Sequence, residues 1–177
     1  MKPKPQRLQV SQRAVLALGS NLGDREATLE AAVRDIGAID GVHVESVSSL
    51  VESAAVKPSG VDRAAPSYLN AVMLVRSVIG PEQLLDAVNA IEDRHGRVRE
   101  ERWGDRTLDI DIIAFDGVQR ADDRLTLPHP RAAERAFVVQ PWLEIDPAAT
   151  LPGIGPVADL PAASDGSVRR VTNRDDR

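Results

Sequence analysis

The stretch that decides the fold is TLDIDIIAF, residues 107–115, which follows the arginine-bearing segment ERWGDR at 101–106. Read as a strand, it puts Asp109 and Asp111 on one face with Cα atoms roughly 6.6 Å apart, and Leu108, Ile110 and Ile112 on the other. Working backwards, QLLDAVNAIEDRH carries Leu84, Leu85, Val88 and Ile91 on one helical stripe, entered through Gly80-Pro81-Glu82 and stopped at Gly96. YLNAVMLVRSVI (68–79) is a strand, SAAVKPSGVDRAAPS before it a long loop, and VHVESVSSLV (42–51) a looser strand. AVLALG (14–19) is a strand, and Leu29, Ala32, Val33 and Ile36 repeat at helical spacing behind it.

The order is β-α-β-β-α-β, an α+β pattern that predicts a ferredoxin-like sandwich: an antiparallel sheet with flanking helices, expected on one of its faces. After Pro128-His129-Pro130, RAAERAFVVQPWLEI predicts one or two short helices. The pattern places one domain at 14–153, an N-terminal extension at 1–13 and a loosely ordered tail at 154–177.

Composition narrows the function. The chain has 177 residues, 42% hydrophobic and 28% charged, which fits one domain with one sizeable core. No window approaches the roughly 20 apolar residues that span a bilayer, and MKPKPQRLQVSQR is not followed by a signal-type apolar run before Ala14, so a cytoplasmic protein is expected. With no cysteine there is no thiolate nucleophile or zinc–thiolate site, and His43, His95 and His129 lie too far apart for a local ligand motif. Any metal must be held mainly by oxygen. A net charge of −5 argues against general nucleic-acid or acidic-membrane binding.

Two carboxylates on one face repel unless something positive lies between them. A solvated edge strand, neutralised by Arg102 and Arg106, is one reading of the pair. The other is a Mg²⁺ site, since one or two carboxylates suffice when a substrate brings phosphates, and such a pair can bridge two ions. Arg94, Arg97, Arg99, Arg102 and Arg106 precede the aspartates and can clamp phosphate in forked pairs. Trp103, in their midst, either packs back on the core or covers a flat ligand. Basic residues around an aromatic also suit single-stranded RNA, but no strand here carries the stacked aromatics of an RNA-recognition sheet.

Alternation puts Tyr68, Asn70 and Val72 on one face of their strand. A ring beside an amide can stack on a heterocycle and read its edge, or can be ordinary core and turn chemistry. Glu92 falls within the apolar arc of its helix, where a buried acid needs a partner; Arg97 or a neighbouring arginine is a candidate, and a structural ion pair and a ligand contact stay equally open. No segment matches a Walker loop or a dinucleotide fingerprint, so any nucleotide must be held by side chains.

Taken in order, LGSNLGD, SYLNAV, IEDRHGRVR, ERWGDRTLDIDII, LTLPHPR and ERAFVVQPWLEI resemble the 6-hydroxymethyl-7,8-dihydropterin pyrophosphokinase family, from about Val15 to Pro152. The resemblance implies a ferredoxin-like fold, ATP as cosubstrate, two Mg²⁺ ions, and transfer of a pyrophosphoryl group to the pterin hydroxymethyl oxygen with release of AMP. It implies Asp109 and Asp111 as metal ligands, and Arg97 and Arg106 as loop arginines of closure and chemistry. Ser53, Ala54, Val56, Tyr68, Asn70, Trp103 and Phe137 take pterin-side positions. Asn89, Glu92, Arg99, Arg102, Trp103, Arg106, Ile112, Arg124, Thr126, His129 and Arg135 take nucleotide-side positions. The partners implied are these two small molecules, with no nucleic acid and no membrane, and a monomer is expected. SAAV replaces a Thr-Pro-Pro-Leu type segment, Asn89 a glutamine, Asp105 a proline and Pro130 a tyrosine, departures that bear on affinity more than on activity.

Overall fold

The computed structural model describes residues 10–57, 59–96 and 107–171. The elements are β1 (Gln12–Ser20), α1 (Arg25–Gly37), β2 (Val42–Val47), β3 (Val51–Ser53), β4 (Ala55–Lys57), β5 (Gly60–Asp62), β6 (Tyr68–Ser77), α2 (Pro81–Arg94) and β7 (Asp109–Phe115). They continue with β8 (Arg120–Ala121), β9 (Thr126–Leu127), α3 (Ala136–Ile145), β10 (Thr150–Leu151), β11 (Gly155–Pro156) and β12 (Val168–Arg170). Single 3-10 turns cover Ala132–Glu134, Val157–Asp159 and Pro161–Ser164.

The main sheet runs β12-β3-β6-β1-β7, with β2 beside β3 along β6, and every pairing is antiparallel. The expected strand at 42–51 is thus two, β2 and β3, and the expected long loop contains the β4–β5 hairpin. The helices start where local chemistry tells them to. Asp24 caps α1 by accepting from the Ala27 N–H at 3.1 Å, and Pro81 opens α2 behind Gly80. Gly96 follows α2 with φ +79°, a left-handed conformation that a side chain disfavours.

The helices do not all lie on one face, as the element order had suggested. Leu29, Ala32 and Ile36 of α1 and Leu84, Val88 and Ile91 of α2 pack on Leu16, Leu18, Met73, Val75, Ile110 and Ile112. On the other side, Val138, Val139 and Trp142 of α3, with Ala149, Val157 and Ala162, cover Val15, Ala17, Val72, Leu74 and Ile113. The central strands are apolar on both faces, and each face needs a cover. An RNA-recognition sheet keeps one face free, and this one does not.

Residues 154–171 also depart from the loose tail expected of 154–177. Val157 is fully buried and Ala162 nearly so. Gln140 donates to the carbonyls of Ala162 (3.0 Å) and Asp165 (2.6 Å), and β12 pairs with β3, Val168 opposite Ser53. Small apolar residues among prolines are enough to seat this segment on α3.

β12 brings Arg169 to Glu52 (2.5 Å), whose carboxylate also accepts from the Ser67 hydroxyl (2.7 Å) and from Arg25 (3.3 Å). The Ser67 hydroxyl above all, then Arg169 and Arg25, hold the Glu52 carboxyl down to about 2. Because its folded value is depressed, the unfolded chain takes up the proton first. The stability from Glu52 is therefore complete above about pH 4.5 and is lost as pH falls towards 2. Glu52→Gln should narrow the gap in urea midpoint from wild type across that window; a gap independent of pH would refute it.

Candidate active site

β7 is an edge strand of the main sheet, and its two aspartates face away from Ile110 and Ile112, as alternation requires. A bulge between Val15 and Leu16 lets both Ile113 and Ala114 turn to the α3 side, so the apolar cover resumes directly beyond Asp111. Asp109 and Asp111 open into a cleft of about 350 Å³ lined also by Asn89, Glu92, Ile112, Arg124, Thr126 and His129. Three separate segments, α2, β7 and the 122–130 stretch, therefore deliver most of the expected nucleotide-side residues to one place.

Each is held by local chemistry. Glu92 is 1% exposed, and its carboxylate accepts from the Ile110 N–H at 2.7 Å. That satisfies a backbone donor on the open edge of β7 and gives the buried acid a partner within the sheet. Removing the acceptor leaves a buried N–H, so Glu92→Ala should cost about 2 kcal/mol, roughly 4–8 °C in melting temperature for a chain this size. An unchanged melting curve would contradict that role.

His129 receives the Arg131 N–H on Nδ1 (3.1 Å), which leaves the proton on Nε2, 3.8 Å from the Asp111 carboxylate. Burial, then the charge of Arg135, pushes its pKa down to about 4 against the pull of Asp109. The ring is neutral near pH 7 and presents an N–H to the cleft.

Arg135 joins the two sides of the site. Its Nη1 is 3.3 Å from the Asp111 carboxylate, and its guanidinium carbon lies 5.6 Å from the centroid of the Phe137 ring. Among the positions expected on the pterin side, Asn70 is 4% exposed and gives its amide N–H groups to β3, to Ser53 Oγ at 2.9 Å and the Val51 carbonyl at 3.4 Å. The amide oxygen is left to face the neighbouring strand β1. Tyr68 lies opposite Ser53, Ala54 lies between β3 and β4, and Val56 sits exposed on the β4–β5 hairpin.

Not every expected residue is gathered in. Arg124 lines the cleft, but its guanidinium is ion-paired with Asp86 of α2. Arg97, Arg99, Arg102, Trp103 and Arg106 lie outside the described residues. Sequence reasoning missed Asp122, which also lines the cleft: its Oδ1 accepts the N–H groups of Arg124 and Leu125, both at 3.0 Å, and so builds the turn that presents Arg124. An aspartate bonding to the backbone two residues on is a turn signal that could have been found.

The two sides are parts of one sheet surface. The register sets Gly19 opposite Asn70 across one ladder and opposite Asp109 across the other, so amide and carboxylate share a rung two strands apart.

A family model described as 7,8-dihydro-6-hydroxymethylpterin-pyrophosphokinase (HPPK) matches residues 15–147. The chain is 42% identical over 135 residues to a 2-amino-4-hydroxy-6-hydroxymethyldihydropteridine pyrophosphokinase of Methylorubrum extorquens, covering 76% of this chain and 83% of the relative. Proteins of that name from Haemophilus influenzae (38% identical; 83% and 89% covered) and Bacillus subtilis (41%; 75% and 77%) are also similar. Among solved structures, Plasmodium falciparum HPPK-DHPS with pterin and p-hydroxybenzoate aligns at TM-score 0.66 and 13% identity, covering 91% of this chain and 46% of that one. A second HPPK-DHPS, in complex with substrates, gives 0.66 and 11%, with 91% and 47% covered. The chain spans about half the length of those structures, and at such identities they speak for the fold alone. The sequence matches reach across both the aspartate strand and the Asn70 strand, and with the family model covering well over half its length this chain belongs to the 7,8-dihydro-6-hydroxymethylpterin-pyrophosphokinase family.

Proposed function

We infer that the protein transfers the pyrophosphoryl group of ATP to the hydroxymethyl oxygen of 6-hydroxymethyl-7,8-dihydropterin and releases AMP, a reaction of folate biosynthesis. The observation that carries this reading is the shared rung. One sheet face runs from an amide suited to a heterocycle edge to two carboxylates in a cleft suited to a triphosphate.

Asp109 and Asp111 are the residues that would hold Mg²⁺, as two ions. Among the described residues they belong to no cluster of three or more His, Cys, Asp or Glu, and a sparse carboxylate set fits an ion whose remaining ligands are phosphate oxygens and water. When bound, Mg²⁺ offsets phosphate charge and polarises the phosphoryl oxygens. Asn89, Glu92, Ile112, Thr126 and His129 bind the nucleotide, the neutral imidazole donating from Nε2 to a phosphate oxygen. Arg124 joins them by exchanging Asp86 for phosphate.

Ser53, Ala54, Val56, Tyr68, Asn70 and Phe137 bind the pterin, with Asn70 accepting from a ring N–H through its amide oxygen. Arg135 spans both sides. Arg97, Arg99, Arg102, Trp103 and Arg106 complete the site. The pterin hydroxyl oxygen forms a bond to the β-phosphorus while the bond from that phosphorus to the oxygen of the α-phosphate breaks, with no covalent enzyme intermediate.

The catalytic domain is 14–153, with 154–171 seated on it. Its arrangement is ferredoxin-like, a reading supported by the strand order β7-β1-β6-β2 around α1 and α2. The working unit in this reading is a monomer. No described helix is long and apolar enough to cross a membrane. Chromatography after mixing the protein with ATP, Mg²⁺ and the pterin tests the reaction: AMP and pterin diphosphate are expected, whereas ADP would indicate a single phosphoryl transfer.

A further inference from the structure

Gly19 stands within the central strand β1, where glycine weakens a sheet. Its neighbours Leu18 and Ser20 are 2% and 0% exposed, so this is no frayed end. The backbone does not ask for glycine either, because Gly19 is absent from the positions with left-handed φ. The remaining reason is space above the strand. The register puts Gly19 directly between Asn70 and Asp109, all three facing the same way. A Cβ here would stand 3.2 Å from Asn70 Oδ1 and 3.5 Å from Tyr68 Cδ1, in the angle between the two residues that read the pterin. At about 4.8 Å per strand spacing, the rung from Asn70 to Asp109 spans about 10 Å. That is the reach of a bicyclic pterin and its hydroxymethyl arm to a phosphorus.

We propose that Gly19 is a substrate-positioning residue, its bare backbone forming the floor over which the hydroxymethyl arm of the pterin meets the β-phosphate. The inference rests on the pyrophosphokinase reading and adds to it the point on the sheet where the two substrates join. A methyl group there crowds the ring-reading amide on one side and lifts the arm off line on the other. The nucleotide, held by α2, β7 and the 122–130 stretch, is not displaced.

Gly19→Ala, assayed beside wild type, should raise the pterin KM and lower kcat, each by about tenfold, with Gly19→Ser worse on both. The ATP KM should stay within about twofold and the melting temperature should change little, since the better strand propensity of alanine offsets the tight contact with Asn70 Oδ1. Unchanged kcat and pterin KM would overturn the proposal, as would a lower melting temperature with both KM values raised alike, the mark of a packing role. Wild type that forms no AMP would overturn the reaction reading, and this proposal with it. Independently of any variant, a crystal structure of wild type with pterin and an α,β-methylene analogue of ATP should bring an atom of the arm or the β-phosphate within about 4 Å of the Gly19 Cα; a water layer between them would also overturn it.

Discussion

Asp111→Asn is expected to lower turnover by about 10²- to 10³-fold, the range seen when one preorganised charge-stabilising group is removed from an active site. The substitution preserves shape and removes the negative charge that a divalent cation needs. Pterin affinity measured without nucleotide should be almost unchanged, because Asn70 and Ser53 are held by β3 and not by β7. The fold should survive as well: the Arg135 pair that is lost is part-exposed, with side-chain exposures of 21% and 33%, and pairs of that kind contribute little. Steady-state turnover, pterin titration by tryptophan fluorescence and a melting curve check the three parts together. Near-normal turnover would remove the aspartate pair from the chemistry.

Asn70→Ala should weaken pterin binding by about 100-fold, because a substrate N–H that loses its buried acceptor is left unpaired. Both amide hydrogens point at β3, so in the proposed reading the carbonyl is the atom offered to the substrate, and its direction is fixed by Ser53. Nucleotide binding, which depends on the other end of the rung, should be retained. Titration of each ligand separately checks this. Equal losses for both would mean that Asn70 acts by holding the sheet together.

The alternation in TLDIDIIAF, with the helical stripe before it, was enough to place Asp109, Asp111 and Glu92 on their elements. The apolar, non-alternating AVLAL of β1 carried a further message, that the sheet is covered twice, which pattern counting passed over in favour of the commoner one-sided arrangement. The tail was misread because proline, glycine and charge look alike in a linker and in a segment pinned by two or three small apolar residues. The placement of Asn70 beside Tyr68 on one face was visible from its strand, but the spending of its hydrogens on Ser53 was not, since that depends on which strand becomes its neighbour. The bond from the Ile110 N–H to Glu92 was hidden for the same reason: a backbone N–H leaves no trace in composition.

The pairing of β12 with β3 has a consequence for how the protein behaves in crowded solution. β3 has only three residues, and without β12 its backbone groups would form a raw margin open to strand addition by another molecule. β12 takes that place and carries Arg169 and Arg170. Both guanidinium groups are tied back onto the body of the protein, Arg169 to Glu52 and Arg170 to Glu144, so the segment that reads as dispensable shields β3 and is itself clamped in place at that border.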